Sequence, residues 1–221
     1  MRRPLMMLAV TALLGLAACD PTTGRPPPVG APVPAYTYVV ESVRSSTVLR
    51  ESWRPGCPVG PENLRIVRVR YWGFDGVRRT GALIVHHTVA HDVGRAFGRL
   101  YDARFQIKNI TPVHSYRGSD ALSMADNNTS AFNCRRVTNG TSWSEHSYGT
   151  AIDINPMQNP YVTSSGTILP PRAGAWVSRP RVPGVIHGGD RVVQAFAEIG
   201  WSWGGHWTNP KDYQHFSRSG R

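Results

Sequence analysis

The sequence predicts an α+β fold in which a small, mainly antiparallel sheet is flanked by helices. Three observations predict it: runs in which apolar and polar side chains alternate, a turn signal between two such runs, and apolar residues at helical spacing. The chain has 221 residues, of which 40% are hydrophobic and 18% are charged. This composition is typical of a globular protein with one domain, or with one domain and a tail.

The strands come first along the folded part of the chain. Residues 37–43 (TYVVESV) and 64–72 (LRIVRVRYW) are predicted strands, and apolar side chains alternate with arginines in the second. Residues 74–76 (FDG) are a turn signal, and residues 82–86 (ALIVH) are the predicted return strand. The sequence therefore predicts an antiparallel hairpin here.

Two helices are predicted to pack on this sheet. Apolar residues at helical spacing predict one helix over about 89–103 and another over 191–199. Asp190 is placed to cap the second helix, and Gly200 is placed to end it. The long polar loops between the helices are of the kind that is usually functional in a compact domain.

The N-terminus has the features of an export signal. A basic MRR precedes a short apolar run that ends in small residues, and LAAC at 16–19 resembles a bacterial lipobox. We expect residues 1–18 to be a lipoprotein signal peptide, Cys19 to be lipidated, and residues 19–35 to include a proline-rich tether. The alternative is an ordinary signal peptide with a chance cysteine. The folded domain is then residues 36–221.

The formal net charge of +11 implies an anionic partner. Because an exported protein does not meet nucleic acid, we expect none; anionic cell-wall polymers are the candidate partners. The membrane is contacted through the N-terminal lipid. We expect the protein to be a monomer that faces the cell wall or periplasm.

The cysteines are consistent with this compartment. If Cys19 is lipidated, Cys57 and Cys134 are left, and two cysteines outside the cytoplasm most often pair. The sequence therefore predicts a disulfide between Cys57 and Cys134. The alternative is two separate buried thiols.

Two short segments carry residues that could bind a metal. SEHSYGTAIDINP contains His146 and Asp153, and DYQHF contains Asp212 three residues before His215. On a helical turn, or a tight turn of similar shape, Asp212 and His215 would share one face. His146, Asp153 and His215 would leave one tetrahedral position open, which is the pattern of catalytic zinc sites. Each short motif is weak on its own.

Together, SEHSYGTAIDINP and GWSWGGHW…DYQHF resemble the zinc D-Ala-D-Ala carboxypeptidase family of bacterial cell-wall peptidases, over roughly residues 36–221. This family includes the vancomycin-resistance D,D-peptidases and the L-alanyl-D-glutamate endolysins, and it shares its fold with the hedgehog signalling domain. Its pattern is S-x-H-x(6)-D followed by an acid-x-x-His. SMADNNTSAFNCR is similar to the family branch with an extended substrate loop. The resemblance implies one Zn²⁺ bound by His146, Asp153 and His215.

The resemblance also implies roles for neighbouring residues. Asp212 would be the general base and then the general acid, and an arginine would stabilise the oxyanion. Arg135 in FNCR is the preferred arginine. Arg117 in SYRG, 29 residues before His146, is the alternative and a candidate substrate-binding residue, or else a surface loop charge. Ser144 matches the serine that helps to hold substrate in relatives.

Other residues near the motifs have more than one interpretation. Glu145 is expected to face solvent. Trp201, Trp203 and Trp207 either line the substrate cleft or pack in the core.

The function that the resemblance implies is hydrolysis of peptidoglycan stem peptides, with D-Ala-D-Ala carboxypeptidase activity as the first choice. An L-alanyl-D-glutamate or L,D-endopeptidase is the second choice because the motifs are shared. A non-catalytic zinc module that binds the wall is the alternative from another class. Asp212 favours an enzyme, since a binding module does not need an acid at that position.

Overall fold

Helices and short strands combine in an α+β fold, as the sequence predicts. The computed structural model describes residues 34–43, 49–138 and 140–221. The helices are α1 (Ala90–Asp102), α2 (Asp120–Ala125) and α3 (Arg191–Ala197). The strands are β1 (Tyr38–Ser42), β2 (Leu64–Trp72), β3 (Arg78–His86), β4 (Asn109–Ile110), β5 (Asn128–Thr129), β6 (Ala151–Asp153), β7 (Tyr161–Val162), β8 (Ile168–Leu169), β9 (Ser202–Trp203), β10 (Lys211–Asp212) and β11 (His215–Ser217).

The predicted hairpin is β2 and β3, and β1 pairs with the other edge of β2, so that the three strands form an antiparallel sheet. The alternation in β2 turns Val67 and Val69 to the core. The apolar face of α1 covers them with Val93, Phe97 and Leu100, all buried. Each such side chain contributes roughly 1.5–3 kcal/mol when it is fully buried. The apolar faces of α1 and β2, which their sequence periodicities predict, therefore pack together in one core.

Two further antiparallel sheets carry the polar residues of the two motifs. In the first, β11 lies between β6 and β9, and His215 is the direct partner of Asp153. In the second, β7 lies between β10 and β8, and Asp212 is the partner of Tyr161. Because only a short link joins β10 to β11, these two small sheets bring the two motifs together.

The ends of the predicted helices differ in detail. Helix α1 matches its predicted range closely, whereas α3 ends at Ala197, before the predicted residue 199. Asp190 is at the N-cap position but its side chain does not cap α3. Its Oδ2 instead accepts a hydrogen bond from the backbone N–H of His187 at 2.7 Å. Gly200 follows α3 with a positive φ of 77°, a conformation that glycine adopts without strain.

Helix α2 lies in a segment that the sequence had suggested was a loop. It has six residues, which is too few to show a repeating apolar pattern in the sequence. Its N-cap is Ser119, whose Oγ accepts a hydrogen bond from the N–H of Leu122.

The predicted disulfide between Cys57 and Cys134 is present, with the two Cα atoms 5.9 Å apart. The chain from Tyr36 to Arg221 forms one compact unit. Cys19, the 1–18 signal peptide and nearly all of the 19–35 tether lie outside the described residues. Within the described part of the chain, no helix is long and apolar enough to cross a membrane.

Candidate active site

Three buried side chains meet at one point of the structure. One nitrogen of His146, one carboxylate oxygen of Asp153 and one nitrogen of His215 lie within 4.8 Å of one another. His146 Nε2 is 3.1 Å from Asp153 Oδ2, and His215 Nδ1 is 3.0 Å from Asp153 Oδ1. The two imidazole nitrogens are 3.3 Å apart. The three predicted ligands are therefore close enough to bind a single metal ion.

The backbone holds these three residues in place. Asp153 ends β6 and His215 begins β11; as direct partners in an antiparallel pair, they point to the same face. The N–H and C=O of Asp153 also exchange hydrogen bonds with those of Ser130. His146 lies on a short 3-10 turn whose N-cap is Ser144, and Ser144 Oγ accepts a hydrogen bond from the His146 N–H at 3.4 Å.

The outward-facing nitrogens of both histidines are hydrogen-bonded to carbonyl groups. His146 Nδ1 donates to the carbonyl oxygen of Ala131 at 2.6 Å, and His215 Nε2 donates to that of Arg221 at 3.0 Å. A carbonyl only accepts, so each of these nitrogens carries the hydrogen. In the neutral form of each ring, the lone pair is then on the nitrogen that faces Asp153, which is Nε2 of His146 and Nδ1 of His215. Such second contacts orient histidines in metal sites, so the donor set fits a metal ion.

The electrostatics of the three side chains are coupled. Burial alone would raise the pKa of Asp153, but the charges and hydrogen bonds of the two histidines hold it well below its usual range. Burial opposes the charged form of His215, yet the hydrogen bond and charge of Asp153 raise its pKa to about 9. His215 must therefore lose a proton before it can bind a metal.

Asp212 lies beside this cluster and lines the same cavity, which has a volume of about 290 Å³. Its Oδ1 is buried and has no hydrogen-bond partner among the described residues. Burial raises the pKa of Asp212 to about 7, and Asp153 adds to the rise, while His215 and Arg135 oppose it. A carboxyl group with this pKa can both accept and return a proton near neutral pH.

The arrangement of Asp212 and His215 differs from the predicted one. They do not share the face of a helical turn, because Asp212 is in β10 and His215 is in β11, with a two-residue link between. Both nevertheless line the cavity. A spacing of three residues is compatible with a helical turn and with a bend between two strands, and tertiary pairing decides between them.

Comparison with protein-family models matches residues 138–218 to the family described as D-alanyl-D-alanine carboxypeptidase. Over this segment the chain is similar to that family. No curated protein and no solved structure matches the chain. The matched segment contains the three clustered side chains and Asp212, but it begins after Arg135. The extended-substrate-loop branch therefore stays a prediction.

The two candidate arginines have different positions. Arg135 lines the cavity, and its Nη2 is 3.0 Å from Asp120 Oδ2 of α2. Its backbone follows Cys134 of the disulfide. Arg117 is exposed, has a left-handed φ of 55°, and is not among the residues that line this cavity. The expectation that Arg117 binds substrate therefore stays a prediction.

The residues next to the first motif also line the cavity. Ser144 is buried there, where its hydroxyl also caps the turn. Glu145 does not simply face solvent as expected: it is half-buried, lines the cavity, and accepts a hydrogen bond from Thr150 Oγ1 at 3.2 Å. Glu145 therefore adds a further acidic side chain to the lining of the cavity.

The three tryptophans divide between the two interpretations. Trp201 and Trp203 are buried in the core. Trp207 lines the cavity, and its indole Nε1 donates to the carbonyl oxygen of Gly220 at 2.9 Å. Its ring centroid is 5.6 Å from that of His215. Trp207 is thus a wall of the cavity beside a clustered histidine.

Asp120 and Gln214 line the cavity and were not predicted as site residues from the sequence. Asp120 gives no signal because its role depends on the ion pair with Arg135, 15 residues away in sequence (135 − 120). Gln214 lies between Asp212 and His215, so its place in the DYQHF motif could have identified it. The sequence could not show whether its side chain turns to the cavity.

Proposed function

We propose that this protein is a zinc-dependent D-alanyl-D-alanine carboxypeptidase that hydrolyses peptidoglycan stem peptides. One observation carries the proposal: three buried residues offer ligand atoms within 4.8 Å of one another, and they line the same cavity as Asp212, whose buried Oδ1 has no hydrogen-bond partner among the described residues. A structural metal site needs no such acid beside it. The family match over residues 138–218 supports the same reaction class.

The donor set favours zinc over other ions. Two neutral imidazole nitrogens and one carboxylate oxygen are ligands that catalytic zinc sites use, with one further position open. When bound, zinc supplies Lewis-acid chemistry and lowers the pKa of water to near 7. His146, Asp153 and His215 would hold the ion, and the carbonyl groups behind the histidines would keep their rings in orientation.

Asp212 is assigned the proton transfers. Its Oδ1 takes a proton from the water that attacks the scissile carbonyl carbon. The same proton goes to the departing amine nitrogen as the C–N bond breaks. The products are the shortened peptide and free D-alanine, and the carboxylate of Asp212 is restored. The pKa of about 7 suits both transfers.

Arg135 is assigned the stabilisation of the negative charge that develops on the carbonyl oxygen. Its guanidinium lines the cavity and its Nε has no partner among the described residues, so a donor is left for substrate. The ion pair with Asp120 limits the movement of this side chain. Ser144 is proposed to contact the substrate from the turn that carries His146.

The location in the cell is part of the proposal. Export, lipidation at Cys19 and a proline-rich tether would place the domain near peptidoglycan. The net charge of +11 would keep the protein, as a monomer, close to anionic wall polymers.

A product mass tests the function. The purified chain, zinc-loaded, is incubated with synthetic L-Ala-γ-D-Glu-diamino acid-D-Ala-D-Ala, and chelator-treated and Asp212→Asn proteins are the controls. We expect loss of one C-terminal alanine by the zinc-loaded wild type alone. Cleavage after the first L-Ala would instead show an endopeptidase. Bound zinc with no cleavage of this peptide or of intact peptidoglycan would show a binding module.

A further inference from the structure

Buried polar atoms without hydrogen-bond partners are concentrated at one cavity. Among the described residues, four buried side-chain atoms have no partner: His114 Nδ1, Arg135 Nε, Asp212 Oδ1 and Gln214 Oε1. Three of the four belong to residues that line the cavity beside the proposed metal ligands. Because native proteins leave few buried polar groups unpaired, such a group at a binding cavity points to a ligand.

The mechanism proposed above uses two of these three residues. Asp212 transfers protons and Arg135 stabilises charge, but no role is assigned to Gln214. This side chain is only 4% exposed, between Asp212 and His215 in the chain. Glutamine is rarely this buried unless its amide is paired.

The surroundings of Gln214 leave one end of its amide free. Its Nε2 faces Met124 Sδ at 3.6 Å, and a thioether is a weak acceptor. Its backbone carbonyl accepts a hydrogen bond from the N–H of Ile154 at 3.0 Å, which fixes the main chain. Gln214 lines the cavity, and no described residue donates a hydrogen bond to its Oε1. The weak sulfur contact does not explain a polar residue at this position, whereas methionine or leucine would pack there without an unpaired atom.

We propose that Gln214 is a substrate-binding residue whose Oε1 accepts a hydrogen bond from a backbone N–H of the bound peptide. The inference rests on the proposed peptidase function. A peptide supplies the N–H donor that the cavity lacks, and an amide acceptor recognises it without adding a charge next to Asp212. Sites built to bind a substrate N–H reject analogues that lack it, since the protein acceptor is then left unpaired.

The first part of the test compares two matched substitutions. Gln214→Met keeps the length of the side chain and removes its hydrogen-bonding atoms. Gln194→Met makes the same change on the exposed surface of α3, outside the cavity. We expect Gln214→Met to retain zinc and to unfold at no lower temperature than wild type, because an unpaired buried amide is exchanged for an apolar group of similar shape. Its kcat/KM on the pentapeptide should fall about 10- to 100-fold, chiefly through KM, whereas Gln194→Met should match wild type.

The second part uses pentapeptide analogues in which each non-scissile amide in turn is replaced by an ester, which removes one N–H. Wild-type protein should lose about 10-fold or more in kcat/KM with one of these analogues. The same analogue should cost Gln214→Met no more than about twofold, because the partner of that N–H is already gone. A merely structural role of Gln214 would not produce this coupling.

The outcomes separate the inference from the proposed function. Wild-type protein that cleaves the pentapeptide, with equal kcat/KM in Gln214→Met, overturns the inference alone. Wild-type protein that neither cleaves nor binds any of the peptides overturns the proposed function, and the inference with it. If Gln214→Met does not fold, the wild type still decides: equal kcat/KM for every ester analogue excludes an N–H acceptor at this position.

Discussion

Removal of the disulfide between Cys57 and Cys134 should lower the free energy of unfolding substantially. The two cysteines are 77 residues apart in sequence, and the chain-entropy relation for a loop of that length gives about 4.5 kcal/mol at 25 °C. Cys134 is 2% exposed, so an alanine there also leaves a small void in the core. The expected loss for Cys57→Ala/Cys134→Ala is therefore about 4–5 kcal/mol. For a domain of ordinary stability, this is a large fraction of the total.

The assay is urea unfolding at 25 °C, followed by tryptophan fluorescence, with the double variant compared with wild type. Cys19→Ala is the matched control, because it removes the remaining cysteine and leaves the disulfide intact. Activity is measured in the absence of urea on the fraction that is folded. Since Cys134 precedes Arg135, we expect the folded double variant to show a lower kcat than wild type.

A loss of less than about 1 kcal/mol would refute this account. It would mean that the crosslink does not restrict the unfolded chain in the way that loop length predicts. A full loss of stability with unchanged kcat would refute only the link between the disulfide and Arg135.

Four further outcomes are expected. Asp212→Asn should bind zinc as wild type does and lose about 10²- to 10⁴-fold in kcat. His215→Ala should lose both activity and bound zinc. Zinc analysis and turnover assays of the two variants will show the difference. Arg135→Ala should lower kcat about 10²- to 10³-fold, whereas Arg117→Ala, outside the cavity, should stay within about twofold of wild type; equal losses would contradict the assignment. Zinc binding at pH 7.5 should release close to one proton, because the pKa of His215 is about 9 in the metal-free protein; calorimetry in buffers of different ionisation enthalpy measures it. Since that pKa lies above the ordinary value of 6.5, the contribution of His215 to the stability of the metal-free protein is fully present below about pH 6.5 and is lost as the pH rises through 9, which unfolding at a series of pH values will show.

The sequence predicted the elements whose signal repeats over many residues. Strand β2 and helix α1 each show their period several times, and the sequence placed both within one or two residues. The strands that carry the site have two or three residues each, which is too short for any period. The three candidate ligands were still identified, because the two motifs together form a specific pattern although each is weak on its own. The strand pairing that makes His215 the partner of Asp153 could not be predicted from the sequence.

The residues that were missed act through tertiary contacts alone. Asp120 matters because α2 brings it to Arg135, and α2 itself was not predicted. Gln214 is distinguished by its buried Oε1, which has no hydrogen-bond partner among the described residues, and only the structure can show this. The prediction that Asp190 caps α3 was wrong for a similar reason. Asp190 is at the N-cap position, but its carboxylate accepts a hydrogen bond from the backbone N–H of His187 in the preceding loop.

The pairing of Asp153 with His215 has a consequence for how this protein can fail. In an antiparallel pair, a slip of one residue turns a side chain to the opposite face. The two ligands would then point away from each other, even if β6 and β11 stayed hydrogen-bonded. If the site binds zinc as proposed, its occupancy reports the alignment of these two strands, and misaligned molecules can be separated from native ones by their inability to retain zinc.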